Sequence, residues 1–456
     1  MTTTLLRNIS ALATMDDGGS EISDAAVRIS DGWIETVGRT DEVDAQADQI
    51  IDLRDHVVLP GFVNTHHHLY QTLTRAVPAA QNVPLFDWLN ALYPVWARLD
   101  AESVQLATQL GLAELALSGC TTAFDHQYLF PDGSSVDDQI HAAGPVGIRF
   151  HVSRGSMSLG ESDGGLPPDS VVEPEDVILA DCARAVGAHH DPSPGAMVRI
   201  VLAPCSPFSV TTDLMRRSAE MARQLGVHLH THLAETKDEE AFCIEKFGAR
   251  PVEYATDVGW SGNDVWFAHA VHVGADEVAQ MGRAGTGVAH CPTSNMRLAS
   301  GIAPIQEYVA AGVRVGIGCD GSASNDSSHL LAEARQALLL SRLSVAPGVG
   351  EGEIMPVREA LRLATRGGAE VLGRDDIGSI EVGKAADLIA IDLARLDYAG
   401  ALHDPIGATI LCAPVTVDHS WVHGNRVVEN GQLVGVELPS LIERHNAASR
   451  AIVDGR

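Results

Sequence analysis

The stretch Pro60-Gly61-Phe62-Val63-Asn64-Thr65-His66-His67-His68 ends a short apolar run on three consecutive histidines. The run, extended to Val58–Thr65, has the length and composition of a buried β-strand. Alternate residues of a strand share a face, so we expect His66 and His68 to point the same way and His67 to point oppositely. The strand therefore predicts two imidazoles at one end that could bind a metal ion together.

Short apolar strands of this kind recur through the middle of the chain, with helical periodicity between them. The eight strand candidates are Val58–Thr65, Thr121–His126, Ile148–Ser153, Val198–Ala203, Val227–His232, Val265–His269, Gly287–His290 and Val313–Cys319. Eight such units predict a (β/α)8 barrel, of the TIM type, over residues 57–370. A doubly wound sheet is the alternative, but its GxGxxG signature is absent from the first strand-to-helix turn.

Both ends of the chain have a different texture, with short strands separated by Asp/Gly turns. The strand candidates here are Thr4–Ile9, Ala25–Ser30, Trp33–Val37, Gln49–Leu53, Asp387–Ile391 and the hairpin Val415–Val422 with Arg426–Glu429. Two β-rich ends around a different middle predict one small β-sandwich domain built from residues 1–56 and 371–456. The final segment, Pro439–Ile452, has helical character.

A barrel of this type places its chemistry where strands end. Those positions hold His66, His68, His126, Arg154, Cys205, His232 followed by Glu235, His269, His290 and Asp320. A lone histidine is more often a packed core or surface group, but independent core histidines have no reason to share the same end of successive strands. The mixed set of His66, His68, His232 and Asp320 suits zinc, and less selectively iron or manganese.

Two carboxylates near these histidines are candidates for proton transfer. Glu235 follows His232 by three residues; a proton-transfer role beside a metal is favoured over a solvated acidic loop, although Lys237-Asp238-Glu239-Glu240 follows at once. Asp320 closes the last strand, where a buried carboxylate is costly without a cation or proton to share, so it is either a ligand or a general base. Cys205 is interpreted as pocket lining.

Lysine usage favours one metal ion per chain. The sequence has only Lys237, Lys246 and Lys384, and none closes the fourth strand, which ends in Pro204-Cys205. Binuclear hydrolases of this architecture bridge their metals with a carboxylated lysine from that region. A single metal is therefore expected.

Charge and cysteine usage restrict the partners. The 456 residues carry 60 Asp and Glu against 31 Lys and Arg, a formal net charge of −29, which disfavours nucleic acid polymers and anionic membrane surfaces. The seven cysteines contain no CxxC pair, and the chain shows neither a signal peptide pattern nor an apolar run long enough to span a membrane. These features predict a cytoplasmic protein with a small-molecule partner.

Several of these segments together resemble the amidohydrolase superfamily, in its branch of mononuclear deaminases that act on purines, pterins and s-triazines. The matching segments are 60–68, His230-Thr231-His232-Leu233-Ala234-Glu235, Ala268-His269-Ala270-Val271-His272, Ala289-His290-Cys291-Pro292, 320–326 and 378–388. The resemblance implies one zinc ion, with iron possible, bound by His66, His68, His232 and Asp320. It also implies that Glu235 and Asp320 move protons during hydrolysis and that His269 steadies the attacking oxygen or a substrate carbonyl.

Finer matches in segments 68–76, 84–89, 154–158, 165–169 and 203–208 resemble the 8-oxoguanine deaminases. This resemblance implies hydrolysis of free 8-oxoguanine to urate and ammonia. The alternatives are an s-triazine aminohydrolase or chlorohydrolase of the hydroxyatrazine type, an isoxanthopterin or guanine deaminase, and a non-enzymatic assembly protein, which the intact cluster of candidate ligands disfavours. Gln71, Trp88 and Arg154 are candidates for holding the base, with packing or loop anchoring as the alternative. The family also makes a homodimer or higher homo-oligomer plausible.

Overall fold

The computed structural model describes residues 2–345 and 354–455. Within these residues eight parallel strands close into a barrel: β1 (Phe62–Asn64), β2 (Cys120–Asp125), β3 (Arg149–Ser156), β4 (Val198–Pro204), β5 (His228–Leu233), β6 (Val265–His269), β7 (Gly287–His290) and β8 (Arg314–Ile317). The ring closes where Ile317 of β8 pairs with Asn64 of β1. The predicted (β/α)8 barrel is confirmed.

The two ends of the chain form a separate, nine-stranded sheet. Its strands are Thr3–Ala13, Glu21–Ser30, Trp33–Arg39, Gln49–Asp52, His56–Pro60, Leu388–Asp392, His419–Val422, Asn425–Glu429 and Gln432–Leu433. The ends meet where Leu388–Asp392 pairs antiparallel with His56–Pro60. Buried residues of both ends, including Leu6, Val27, Leu388 and Trp421, share one core. The origin of this unit from both chain ends is as predicted, and the boundaries at 56/57 and 370/371 stay predictions.

The prediction of one continuous strand over Val58–Thr65 was wrong. His56–Pro60 belongs to the terminal sheet, and Phe62–Asn64 is β1 of the barrel. The chain leaves the terminal sheet at Gly61, where a Cβ atom would collide with the side chain of Thr121. Glycine at this position permits the close approach, and the apolar run crosses between two sheets without a change in hydrophobicity that the sequence could reveal.

The barrel strands are connected by helices and loops. The α-helices of the described residues are Leu85–Trp96, Ala101–Leu117, Val136–Ala143, Glu175–His189, Thr212–Leu225, Lys237–Phe247, Pro251–Asp257, Ala275–Ala284, Pro292–Arg297, Ile305–Ala310, Leu330–Ser344, Val357–Arg362, Gly368–Val371, Pro405–Leu411 and Leu438–Asp454. Helix 212–225 shows why such segments are helical: the Thr211 side chain accepts from the amide of Leu214, and Gly226 ends the helix in the left-handed region. None of the described helices combines the length and apolar character needed to span a membrane.

A buried ion pair fastens the barrel to the terminal sheet. Arg149, at the start of β3, donates to both carboxylate oxygens of Asp387 at 2.8 and 2.9 Å. Both side chains are almost fully buried. Because this pair lies where β3 begins, it is at the opposite end of the barrel from the strand ends that carry the predicted site, and it supports the barrel without touching the site.

Candidate active site

The three consecutive histidines divide as the strand pattern predicts. The Nε2 atoms of His66 and His68 each lie 3.2 Å from Oδ1 of Asp320, which follows β8. His68 Nε2 also lies 3.0 Å from Nε2 of His232 on β5. His67 turns away and bonds to the hydroxyl of Ser328 at 2.9 Å. The structure thus brings His66, His68, His232 and Asp320 together.

Hydrogen bonds on the far side of each ring fix which nitrogen faces the cluster. His68 Nδ1 donates to the carbonyl of His126 at 2.6 Å, and His232 Nδ1 donates to the carbonyl of Cys205 at 2.7 Å. His66 Nδ1 contacts Nε2 of His230 at 2.9 Å. Since Nδ1 of His230 donates to the Trp266 carbonyl, its Nε2 accepts a hydrogen bond from Nδ1 of His66. All three Nε2 atoms therefore present lone pairs to the cluster.

This arrangement fits a divalent cation. Three nitrogen lone pairs and a carboxylate oxygen converge at distances near 3 Å with no proton to share between them, and the buried His66 Nε2 has no hydrogen-bond partner among the described residues. Without a cation such lone pairs repel one another. Histidine nitrogens and a carboxylate oxygen in this number are ligands that zinc and related divalent ions accept.

Burial holds the cluster in the protonation states that bind metal. It lowers the pKa of His66 to about 3 and that of His232 well below the ordinary histidine value, so both rings are neutral at physiological pH. Burial alone would raise the pKa of Asp320, but the His66 and His68 rings, each 3.2 Å from its Oδ1, outweigh that effect and hold the pKa well below the ordinary value. Neutral imidazoles and an ionised carboxylate are the forms that coordinate a cation.

Glu235 and His269 stand beside the cluster. His269 Nε2 lies 3.7 Å from Oε2 of Glu235 and 3.8 Å from Oδ2 of Asp320. Its Nδ1 is held by the side-chain oxygen of Asn295 at 2.9 Å, and Ser300 donates to Oε1 of Glu235 at 3.2 Å. Burial raises the pKa of Glu235, which makes its carboxylate a better proton acceptor than an exposed glutamate.

The backbone is strained where these side chains are presented. His269 has φ +68° and Asp320 has φ +59°, and Ala234, just before Glu235, has φ +55°. Residues other than glycine rarely adopt this left-handed region, and such conformations concentrate at functional sites, where the surrounding structure maintains them. These backbone conformations occur at His269 and Asp320 and directly before Glu235, the three side chains beside the histidine cluster.

A pocket that opens to solvent lies over the cluster. Its polar lining residues are His68, Gln71, Cys205, His232, Glu235, Glu239, His269, Asp320 and Ser324, and its apolar and aromatic ones are Leu85, Trp88, Leu89, Tyr93, Tyr128, Phe208 and Leu298. Gln71 and Trp88 both line this pocket, and their contact with substrate stays a prediction. Trp88 Nε1 donates to the Ala323 carbonyl at 3.2 Å, and a Cβ atom at Gly321 would collide with the Gln71 amide.

Arg154 is not brought to this pocket. Its guanidinium donates to Glu173 at 2.8 and 3.0 Å and to Asp181 at 2.5 Å, and it lies over the ring of Phe130. The side chain is buried among these partners. The contacts match the alternative of loop anchoring, since the charge is already neutralised by two carboxylates.

Two other strand-end histidines have different surroundings. His126 stacks on the ring of His232, with centroids 4.7 Å apart, and its Nε2 donates to the Ala203 carbonyl at 2.9 Å. One of its ring nitrogens lies within 4.8 Å of the nitrogens of His66, His68 and His232. His290 instead lines a separate small cavity with Ile302 and Ala337.

Several residues that line or contact the site lie outside the strand ends and were not predicted from the sequence. Asn295, Ser300 and Tyr93 lie in loops or helices with no motif, so no signal in one sequence marks them. Glu239 belongs to the acidic run after Glu235, which reads as solvated, yet the side chain is only 1% exposed. The one sequence signal for Glu239 is its spacing of four residues from Glu235. A helix that starts between the two residues brings the side chain of Glu239 back toward Glu235.

The sequence matches a family model described as the amidohydrolase family over residues 57–427. The chain belongs to this family, as its motifs predicted. The match covers the whole barrel and continues into the strands of the terminal sheet that follow it.

Three known proteins of the family are similar over nearly the whole chain. The 8-oxoguanine deaminase of Pseudomonas aeruginosa is 50% identical, with 100% of each chain covered. An isoxanthopterin deaminase from an unknown prokaryotic organism is 38% identical over 96% of this chain and 95% of its own. The crystal structure of atrazine chlorohydrolase from Arthrobacter aurescens TC1 complexed with zinc is 35% identical, covers 98% of this chain and 100% of its own, and has a TM-score of 0.92. Two of these relatives are deaminases, in agreement with the predicted class of hydrolytic deaminase, and the third is a chlorohydrolase whose crystal structure contains zinc.

Proposed function

We propose that the protein is a zinc-dependent aminohydrolase that converts free 8-oxoguanine to urate and ammonia. The observation that carries the proposal is the convergence of three histidine Nε2 atoms and Asp320 beside Glu235, at the floor of a pocket with aromatic walls. The substrate rests on similarity, because the 8-oxoguanine deaminase matches at 50% identity over its full length.

His66, His68, His232 and Asp320 would hold one zinc ion per chain. Three nitrogens and one oxygen are a mononuclear set, and β4 ends in Pro204 without a lysine that could bridge a second ion. Bound zinc supplies the Lewis acidity that makes water a nucleophile at neutral pH. The bonds from His68, His232 and His66 to their buried partners keep each ring oriented for this role.

Glu235 is the proton carrier in this proposal. Hydrolytic deamination consumes one water: its oxygen bonds to the ring carbon, the carbon–nitrogen bond breaks, and the amine departs as ammonia after gaining a proton. Glu235 takes the first proton of the water and transfers it to the adjacent ring nitrogen. Ser300 orients the carboxylate for both transfers through the 3.2 Å bond to Oε1.

In this proposal Asp320 binds the metal through Oδ1 and transfers a proton through Oδ2. Oδ1 faces the histidine nitrogens, whereas Oδ2 accepts a hydrogen bond from Ser324 and faces His269 at 3.8 Å. In this proposal Oδ2 takes the second proton of the water and passes it to the departing ammonia. His269 faces both Glu235 and Asp320, where it steadies the attacking oxygen.

The pocket and the net charge both favour a free, nearly neutral base. Trp88, Phe208 and Leu298 offer flat or apolar surface to a planar ring, and Gln71 offers an amide for its edge. A net charge of −29 disfavours oxidised guanine within a nucleotide or DNA. A cytoplasmic location and a homodimeric or higher homo-oligomeric state stay predictions from the sequence.

Purified zinc-loaded enzyme should release ammonia from 8-oxoguanine faster than from guanine, isoxanthopterin or a hydroxyatrazine-type triazine. We expect kcat/KM to favour 8-oxoguanine by at least about 10-fold. Groups in the pocket that hydrogen-bond the 8-oxo oxygen would be left unpaired when guanine, which lacks this oxygen, binds instead. The measurement is coupled ammonia release, with urate identified by its absorbance. Faster release from the triazine would make the protein an s-triazine hydrolase, and no turnover of 8-oxoguanine at millimolar concentration would refute the assignment.

Tyr93 is expected to contribute to substrate recognition. It lines the pocket and is nearly fully buried, and its hydroxyl has no hydrogen-bond partner among the described residues. A substrate oxygen or nitrogen would satisfy this donor, so Tyr93→Phe should lower kcat/KM by about 10-fold. The control is Tyr398→Phe, which also removes a buried hydroxyl without a partner, but outside the pocket. Equal kinetics for both variants and the wild type would show that the Tyr93 hydroxyl does not bind substrate.

A further inference from the structure

Glu239 holds the backbone that carries Glu235. It lies in the first turn of helix 237–247, and its carboxylate points back to the preceding turn. Oε1 accepts from the amide of Ala234 at 2.7 Å, and Oε2 accepts from the amide of Glu235 at 2.9 Å. Both oxygens of one buried carboxylate are thus used to fix two successive peptide groups.

The turn that Glu239 holds is strained and is tied to a second segment. Ala234 has φ +55°, a conformation that an alanine does not maintain without support. Its carbonyl accepts from the amides of Val271 and His272, just after His269. Glu239 therefore closes a network in which Glu235 and the segment after His269 are fixed relative to each other.

Burying the Glu239 carboxylate beside Glu235 costs electrostatic free energy, which a neutral side chain at position 239 would avoid. Burial raises the pKa of Glu239 to about 7, and the charge of Glu235 acts in the same direction. The described residues include no ion pair to Glu239, whereas the next residue, Glu240, pairs with Arg250. A second carboxylate is placed beside Glu235 although a neutral side chain could have accepted a hydrogen bond at less expense.

We propose that Glu239 is a positioning residue, which fixes the left-handed turn at Ala234 and so aims the Glu235 carboxylate for proton transfer. The proposal rests on the assigned role of Glu235. Glutamine at position 239 keeps the shape of the side chain but can accept with only one oxygen, which leaves one of the two amides without its acceptor. Aspartate keeps both oxygens on a shorter side chain.

Glu239→Gln should lower kcat per bound zinc by about 10- to 100-fold and leave KM within about threefold of the wild type. Glu239→Asp should recover part of the loss, and the control Glu240→Gln should match the wild type. Because Glu239 acts through Glu235, adding Glu239→Gln to Glu235→Gln should cause no further loss. A full additional loss in the double variant, or a kcat within twofold of the wild type for Glu239→Gln alone, would overturn the proposal.

A crystal structure of zinc-loaded Glu239→Gln gives a readout that does not depend on the substrate. The Glu235 carboxylate should leave hydrogen-bond distance of Ser300, while zinc content stays at the wild-type level. An unmoved Glu235 carboxylate would overturn the positioning role. If wild-type enzyme failed to turn over 8-oxoguanine, the substrate assignment would fail on its own, and this structural comparison would still decide the role of Glu239.

Discussion

Glu235→Gln is expected to retain its zinc and to lose kcat by about 10³-fold. The amide is nearly the same size and can still accept from Ser300, so folding and the metal cluster should be unaffected. It cannot take a proton from water, and general acid–base catalysis of this kind is worth about 10²- to 10⁴-fold. The measurements are metal content by mass spectrometry and steady-state ammonia release.

The matched control for this variant is Glu245→Gln, an exposed glutamate on helix 237–247. It removes one glutamate charge from the helix that follows Glu235, without touching the pocket, so its kcat should equal that of the wild type. A Glu235→Gln enzyme that kept more than about a tenth of wild-type kcat would show that another group moves the proton.

His66→Ala is expected to abolish zinc binding and activity together. The Nε2 atom of His66 is buried and has no hydrogen-bond partner among the described residues, and the variant removes it while leaving His68, His232 and Asp320 in place. Three remaining donors around a cavity should hold less than about 0.1 equivalent of zinc after dialysis, and kcat should fall by more than about 10³-fold. Metal analysis and ammonia release of the same sample test both effects.

The neighbouring residue gives the control for His66. His67 points away from the cluster and bonds to Ser328, a bond that glutamine can reproduce. His67→Gln should therefore bind zinc as the wild type does. Full zinc occupancy in His66→Ala, or loss of zinc in His67→Gln, would contradict the division of the three histidines that the structure shows.

The barrel could be predicted because each of its strands has a recognisable local sequence pattern. An apolar run of about six residues that ends in a polar side chain identifies a parallel strand and its functional end at once. His232 and Asp320 are far apart in sequence, yet their positions as strand ends predicted that they would meet. The error at Val58–Thr65 arose where this logic fails, because an apolar run that crosses between two sheets at Gly61 keeps the same hydrophobicity throughout.

The support around the site could not be predicted in the same way. His230 shares a strand face with His232, and only the structure shows that it accepts a hydrogen bond from His66. Arg154 closes on Glu173 and Asp181, which lie in the following loop and helix, and its partners depend on how that segment folds back. Such contacts are set by tertiary packing, for which a single sequence holds no periodic signal.

Under the proposed function, deamination of 8-oxoguanine requires one zinc ion held by His66, His68, His232 and Asp320. The most direct measurement is a zinc titration of the metal-free enzyme, with the rate of urate and ammonia formation recorded at each addition. The rate should rise linearly from near zero and reach its plateau at about one equivalent per chain. A plateau at two equivalents, or an undiminished rate in the metal-free enzyme, would contradict the account.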